Sequence, residues 1–121
     1  MRLSGNDKVS FETNGYLVVQ DVLSAQDVSN LQRCVNEVHG WQTDEYSAWM
    51  PYLEINADGK HVLSRTENFA ASHAELNALL RGEELLGALR ELSGEDMVLF
   101  KEKINYKLAA SGGLVDCDVS N

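Results

Sequence analysis

The stretch of sequence that decides the fold reads FKEKINYKL and runs from Phe100 to Leu108. A period of two is the pattern of a β-strand whose two faces differ. The alternation predicts one strand from Met97 to Leu108. One face of that strand would carry Val98, Phe100, Glu102, Ile104 and Tyr106, and the opposite face would carry Met97, Leu99, Lys101, Lys103, Asn105 and Lys107.

The lysine-bearing face is unusual because the chain has a net charge of −9, from 19 acidic and 10 basic side chains. Ammonium groups at alternate positions are costly in a dry core unless water or an anion lies opposite them. Two interpretations stay open. The face is either the solvated side of an antiparallel sheet, or a cavity wall whose ammonium and amide groups bind an anionic co-substrate.

Upstream of this strand, the sequence predicts two helices and a short strand. A helix over Asp7–Asn14 is stopped by Gly15, and the apolar run 16–19 (YLVV) reads as a buried strand. Ser24 and Asp27 have the spacing of a capping box and begin a second helix that Gly40 ends. Its apolar face carries Val28, Leu31, Val35 and Val38, with Cys34 on the same side as a small buried hydrophobe.

The middle of the chain predicts a hairpin or a loop with short strands, in residues 52–55 and 61–63, around a turn at Asp58 and Gly59. Such a stretch is either a plain surface connection or a substrate-covering loop. Ser72 and Glu75 have capping-box spacing, and Gly82 divides the following leucine-rich region into two helices that end near Gly94.

The bulk properties predict one soluble globular domain. Hydrophobic residues make up 44% and charged residues 24% of the 121 residues, which is ordinary globular usage. The acidic balance argues against nucleic-acid and anionic-membrane partners. No apolar run is long enough for a membrane span or a signal peptide, and the chain does not end in a peroxisomal Ser-Lys-Leu signal, so we expect a cytoplasmic protein.

Three segments resemble one known family. The strand from Phe100 to Leu108 with the glycine turn at Gly112 and Gly113, the opening FETNGYLVV at 11–19, and LSRTENF at 63–69 are similar, in this order, to the phytanoyl-CoA dioxygenase-like proteins. The resemblance covers about residues 9–113. It implies an α+β chain, namely the N-terminal helices and first strands of a double-stranded β-helix (jelly-roll or cupin-like) fold, here truncated.

The resemblance also implies a chemistry. Members of this family use Fe(II), 2-oxoglutarate and O₂ to hydroxylate C–H bonds of small molecules, with the iron in a His-x-Asp … His site. By resemblance, Asn105 and Lys107 are the expected contacts to 2-oxoglutarate or substrate, with Lys103 as a third candidate. No catalytic residue is assigned.

The pattern of the family breaks after Gly113. No histidine follows His73, and residues 114–121 (LVDCDVSN) do not contain the expected His-x-Asp. We therefore divide the chain into 1–113, the N-terminal part of a phytanoyl-CoA dioxygenase-like domain, and a divergent, disordered tail at 114–121. His39, His61 and His73 lack metal-ligand spacing, so we predict no metal site and no iron or 2-oxoglutarate bound by this chain alone.

Two functions remain open on the sequence. The chain is a fragment or truncated form of an Fe(II)/2-oxoglutarate dioxygenase, inactive by itself, or it is a non-catalytic interaction module that pairs with a full-length relative. An uncovered sheet edge at the lysine-bearing strand would also permit self-association.

Overall fold

The computed structural model describes residues 2–107. In this range the chain combines helices with a three-stranded antiparallel sheet, which confirms the predicted α+β class. The elements, in chain order, are α1 (Gly5–Asn14), α2 (Ala25–His39), β1 (Met50–Ile55), β2 (His61–Glu67), a 3-10 turn (Ala70–Ser72), α3 (Ala74–Leu80), α4 (Glu83–Ser93) and β3 (Lys103–Asn105). The predicted tail at 114–121 lies outside the described residues.

The first two helices each begin at a capping box and end at a glycine. Ser24 and Asp27 form the predicted capping box at the start of α2, and Ser4 and Asp7 form another that starts α1 at Gly5, two residues before the predicted start. Gly15 ends α1 with φ +79°, a left-handed conformation that glycine adopts without steric cost. On α2, Cys34 and Val38 are buried as predicted, whereas 41% of Val28 is exposed.

The predicted capping box of Ser72 and Glu75 is wrong. Ser72 lies in the 3-10 turn, and the N-cap of α3 is His73, whose Nδ1 accepts a hydrogen bond from the Leu76 backbone N–H at 3.2 Å. Glu75 instead forms an ion pair with Arg33 on α2. The side chain that accepts the hydrogen bond at the start of α3 is therefore that of His73, one residue after the serine that the spacing predicted.

Gly82 separates α3 from α4, as predicted. A Cβ atom at this position would lie 2.5 Å from the backbone oxygen of Ala78, so only glycine permits this close approach between the end of one helix and the start of the next. Gly94 ends α4 with φ +81°. Both glycines therefore fix the boundaries that the sequence predicted.

The hairpin of β1 and β2 is confirmed, with Gly59 at φ +78° in the turn. Its strands are longer than predicted, because β2 continues from His61 to Glu67 and places Arg65 and Glu67 in the centre of the sheet. The register shifts between Tyr52 and Leu53.

Two strand predictions need correction. Residues 16–19 form no strand, and Tyr16 and Val18 are 65% and 72% exposed. A strand needs a hydrogen-bonded neighbour, and in the sheet of residues 2–107 the hydrogen-bonded strands are β1, β2 and β3 alone. The strand predicted from Met97 to Leu108 is formed only at Lys103–Asn105 within the described range.

The predicted alternation of buried and exposed side chains is correct from Glu102 to Lys107 and wrong upstream of Glu102. Ile104 packs against the core and Tyr106 is buried, while Lys103, Asn105 and Lys107 are exposed. Further upstream the order is reversed, because Leu99 packs against the core while Val98 and Phe100, which were predicted to share the face of Ile104, are 85% and 95% exposed.

The core lies between α2, the 3-10 turn, α3 and one face of the sheet. Its buried members are Cys34, Val38, Phe69, Ala70 and Leu76. On the sheet, Thr66 is 1% exposed and accepts a hydrogen bond from the Tyr106 hydroxyl at 2.9 Å. The helices therefore cover one face of the sheet.

Candidate functional site

The face of the sheet that points away from the core carries a set of polar side chains. Directly paired residues of an antiparallel sheet project to the same side. Arg65 is paired with Tyr52 on β1 and with Asn105 on β3, and Glu67 is paired with Met50 and with Lys103. We call this set the polar face: Met50, Tyr52, Arg65, Glu67, Lys103 and Asn105.

Arg65 lies at the centre of the polar face. Its guanidinium group stacks over the Tyr52 ring, 4.1 Å from the ring centroid. Its buried Nε makes no hydrogen bond within residues 2–107, and the nearest carboxylate oxygen, on Glu67, is 3.7 Å away. The aromatic ring of Tyr52 therefore holds the guanidinium group in place, and Nε lacks a hydrogen bond within the described residues.

Glu67 is the buried anion of this face, with only 7% of its side chain exposed. A hydrogen bond from Tyr52 is the main cause that holds the pKa of Glu67 below its ordinary value, and the Lys101 ammonium, 3.3 Å from Oε1, acts in the same direction against the effect of burial. The carboxylate is therefore charged at neutral pH and attracts the cationic side chains of Arg65 and Lys101.

The structure brings two of the three predicted site residues into this arrangement. Lys103 and Asn105 are exposed on β3 beside Glu67 and Arg65. Lys107 is exposed two residues beyond the end of the strand. Their contact with a co-substrate remains a prediction.

Sequence analysis did not single out Arg65 as a site residue. Its signal was available, since Leu63, Arg65 and Glu67 alternate with smaller residues in a stretch that resembled the family. The predicted hairpin strand ends at Leu63, so Arg65 lies beyond it, and without the pairing partner the arginine could not be placed opposite Asn105.

A cavity of about 250 Å³ opens beside the polar face. It lies between the start of β1, the end of β2 and the segment that leads into β3, and its lining comprises Met50, Tyr52, Glu67, Asn68, Phe100, Lys101 and Glu102. The lining is mostly polar, and it combines the Glu67 carboxylate and the Lys101 ammonium group with the side chains of Met50 and Phe100.

The described residues do not fit an iron site. Within 2–107 no three His, Cys, Asp or Glu side chains lie close enough to hold a metal ion. His73 uses Nδ1 to cap α3 and lies 2.8 Å from Glu37 through Nε2, and His39 contacts Tyr106 edge to face. The residues of the described range would therefore not hold an iron ion by themselves.

A second charged cluster joins α2 to α3. Arg33 pairs with Glu37 and with Glu75, each at 2.5 Å, and these carboxylates, Glu75 first, raise the pKa of the arginine further. Burial is the main cause that raises the pKa of the Cys34 thiol, which lies 3.7 Å from Glu75. A protonated, buried thiol is a poor nucleophile, so this cluster is structural.

Comparison with known proteins agrees with this picture. The sequence model of the family described as phytanoyl-CoA dioxygenase (PhyH) matches residues 11–118. The chain belongs to the PhyH family. Dioxygenase relatives support this assignment, and the resemblance to the N-terminal portion of the family is confirmed.

Three curated relatives show how much of a PhyH protein is matched. A 2-aminoethylphosphonate dioxygenase from the uncultured bacterium HF130_AEPn_1 is 34% identical over 88% of this chain and 40% of its own length. The dioxygenase lolE1 of Epichloe uncinata is 36% identical over 93% of this chain and 44% of its own length. A methylphosphonate hydroxylase of Gimesia maris is 35% identical over 82% of this chain and 37% of its own length.

The chain thus spans about two-fifths of the length of the curated relatives it matches. No solved structure matches this PhyH chain. Among residues 2–107, none of the helices has the length and hydropathy needed to cross a lipid bilayer.

Proposed function

We propose that this chain forms the co-substrate-binding wall of an Fe(II)/2-oxoglutarate-dependent PhyH dioxygenase with a double-stranded β-helix fold. The observation that carries the proposal is the polar face, where Arg65 stands opposite Asn105 and beside Lys103. Three groups that donate hydrogen bonds, two of them cationic, converge on the side of the sheet away from the helices. The C–H hydroxylation of the family would then require the whole dioxygenase, of which this chain forms one part.

The chemistry of these side chains suits a dicarboxylate. A guanidinium group binds a carboxylate through two parallel charge-assisted hydrogen bonds, and stacking on Tyr52 holds its plane in advance. Asn105 supplies neutral donors next to it, and the lysines add positive charge. Lys107, which follows the same alternation, extends this wall beyond β3.

Iron would be supplied outside the described residues. When bound, iron and 2-oxoglutarate would provide the oxidising chemistry, and the residues of this chain would hold and orient the co-substrate. We expect the chain alone to be inactive as an oxygenase, because its histidines are either committed to structural contacts or isolated from other ligands.

A binding experiment on purified 1–121 tests the proposal. The missing iron ligands predicted no 2-oxoglutarate binding by this chain alone; because Arg65, Lys103 and Asn105 share one face of the sheet, we instead propose weak binding without iron. Titration of ¹⁵N-labelled protein with 2-oxoglutarate should shift the amide signals of Arg65, Lys103 and Asn105. Arg65→Gln should weaken binding by roughly 10-fold, the effect of losing a charge-assisted hydrogen bond worth about 1.5 kcal/mol. Lys60→Ala removes an exposed cation from the hairpin turn and should leave the affinity unchanged.

Two results would count against the proposal. Equal affinity of the wild-type and Arg65→Gln proteins would remove the polar face from the site. Signal shifts spread over all exposed lysines would indicate unspecific attraction of an anion.

The names of two relatives suggest which substrates to examine. Two of the three act on phosphonates, which are small anions. We propose a small organic anion as the substrate class, and methylphosphonate is the first compound to add to the titration. Further shifts around the cavity formed with Phe100 and Lys101 would support this, and an unchanged spectrum would contradict it.

A further inference from the structure

The cavity beside the polar face contains an ion pair with one buried and one exposed partner. Oε1 of Glu67 lies 3.3 Å from the Lys101 ammonium group, and 7% of the glutamate side chain but 66% of the lysine side chain is exposed. Tyr52 donates a hydrogen bond to the same carboxylate, and Nε of Arg65 lies 3.7 Å from its Oε2. The sheet therefore fixes Glu67, whereas Lys101 reaches it from the segment upstream of β3. Because an ion pair with a mostly exposed lysine contributes little to stability, a ligand can displace this ammonium group at small cost.

The rest of the cavity lining suits a ligand with a cationic group. The lining contains the carboxylates of Glu67 and Glu102 against the single ammonium group of Lys101. Glu102 is bound to the protein, because its Oε1 accepts the Ala70 backbone N–H at 2.8 Å. Glu67 is therefore the carboxylate that exchanges one ammonium partner for another. The side chain of Phe100 lines the same cavity and is 95% exposed, so its ring face is open to an ammonium group.

We propose that this cavity binds a zwitterion, whose ammonium group displaces Lys101 from Glu67 and whose acidic group binds the released Lys101. Two ion pairs then replace one, and the buried carboxylate keeps a cationic partner throughout. An anion without an amine would have to separate Lys101 from Glu67 without replacing it. The inference rests on the proposed function, in which the substrate is a small organic anion, and narrows that class to anions that also carry an ammonium group.

Titration of ¹⁵N-labelled 1–121 with three compounds that share a three-carbon chain tests the inference. At neutral pH 3-aminopropionate carries both charges, propionate carries only the carboxylate, and propylamine carries only the ammonium group. We expect 3-aminopropionate to bind about 10-fold more tightly than either of the others, the effect of one additional charge-assisted hydrogen bond. Its signal shifts should include the amides of Glu67, Phe100 and Lys101.

A matched pair of variants removes one carboxylate at a time from the same lining. In Glu67→Gln the preference for 3-aminopropionate over propionate should be lost, and propionate should bind at least as tightly as in the wild type, because Lys101 no longer has a carboxylate partner there. Glu102→Gln keeps a side-chain oxygen for the Ala70 N–H and should retain the preference. The dispersion of the amide signals shows whether each variant is folded, and the comparison of the three compounds on the wild type does not depend on either variant.

Three outcomes overturn the inference. None of the compounds binds at the cavity, or the wild type binds propionate as tightly as 3-aminopropionate, or a folded Glu67→Gln variant retains the preference. Titration of the same wild-type sample with 2-oxoglutarate distinguishes this failure from that of the proposed function. Shifts at Arg65 and Asn105 without a preference for the amine would leave the proposed function standing, whereas a preference for the amine without 2-oxoglutarate binding would count against the proposed function alone.

Discussion

His73 offers the sharpest test of how the helices are held together. Its ring is buried at 8% exposure, and it makes two hydrogen bonds in different directions. Nδ1 accepts the Leu76 backbone N–H, so the proton of the neutral ring is on Nε2, which donates to Glu37 at 2.8 Å. The ring also lies 5.9 Å from Trp41, measured between ring centroids. We predict that His73→Ala strongly destabilises the chain.

The magnitude follows from these contacts. Loss of a helix N-cap costs about 1 kcal/mol. Glu37 is nearly half exposed, so its hydrogen bond contributes toward the low end of the usual range, about 0.5 to 1 kcal/mol. The lost packing of the imidazole brings the expected loss to about 2 to 3 kcal/mol. His73→Asn keeps a capping oxygen and should lose only about 1 to 2 kcal/mol.

Urea unfolding followed by Trp41 and Trp49 fluorescence measures both variants. With a slope of about 1.5 kcal/mol per molar urea, His73→Ala should lower the midpoint by roughly 1 to 2 M. An unchanged midpoint would refute the assignment of His73 as cap and bridge. If the asparagine variant is as unstable as the alanine variant, the capping contribution is wrong and the Glu37 contact dominates.

Three further predictions can be checked on the same protein. Tyr106→Phe leaves buried Thr66 without its 2.9 Å hydrogen bond and should cost about 1 to 2 kcal/mol in urea unfolding, with an unchanged stability as the contradicting result. The pKa of Glu67 is lowered in the folded state, so the charged carboxylate contributes its full stabilisation above the ordinary pKa of 4.5 and loses it as the pH falls below that value. In Glu67→Gln, the free energy of unfolding should therefore depend less on pH in the acid range. An acid-unfolding profile identical to that of the wild type would refute this. Purified 1–121 should form no iron-dependent succinate, whereas robust turnover that Lys107→Ala abolishes would show that the chain is a complete oxygenase.

Much of the fold could be predicted because its signals are local. The capping box of Ser24 and Asp27, the glycine stops at Gly15 and Gly94 and the turn at Gly59 act over four residues or fewer. The same locality explains the one wrong cap. Ser72 and Glu75 have the right spacing, and only the packing of α3 against α2 shows that Glu75 binds Arg33 while His73 caps the helix.

The candidate site could be predicted only in part. Alternation placed Lys103 and Asn105 on one face of a strand, and resemblance assigned that face a role. The pairing of Asn105 with Arg65 joins residues 40 positions apart, as in the Tyr106–Thr66 contact of the same two strands, and no local pattern carries that information.

The sequence by itself determined the α+β class, the start of α2 at its capping box, the glycine stops of α1 and α4 and, through three short segments, membership of the PhyH family. Tertiary structure alone decided that Tyr16–Val19 is not a strand, that Leu99 rather than Phe100 faces the core, and that Arg65 stands opposite Asn105. The physical reason is that helices and turns are stabilised by neighbours in the chain, whereas a strand exists only where a distant segment completes its hydrogen bonds.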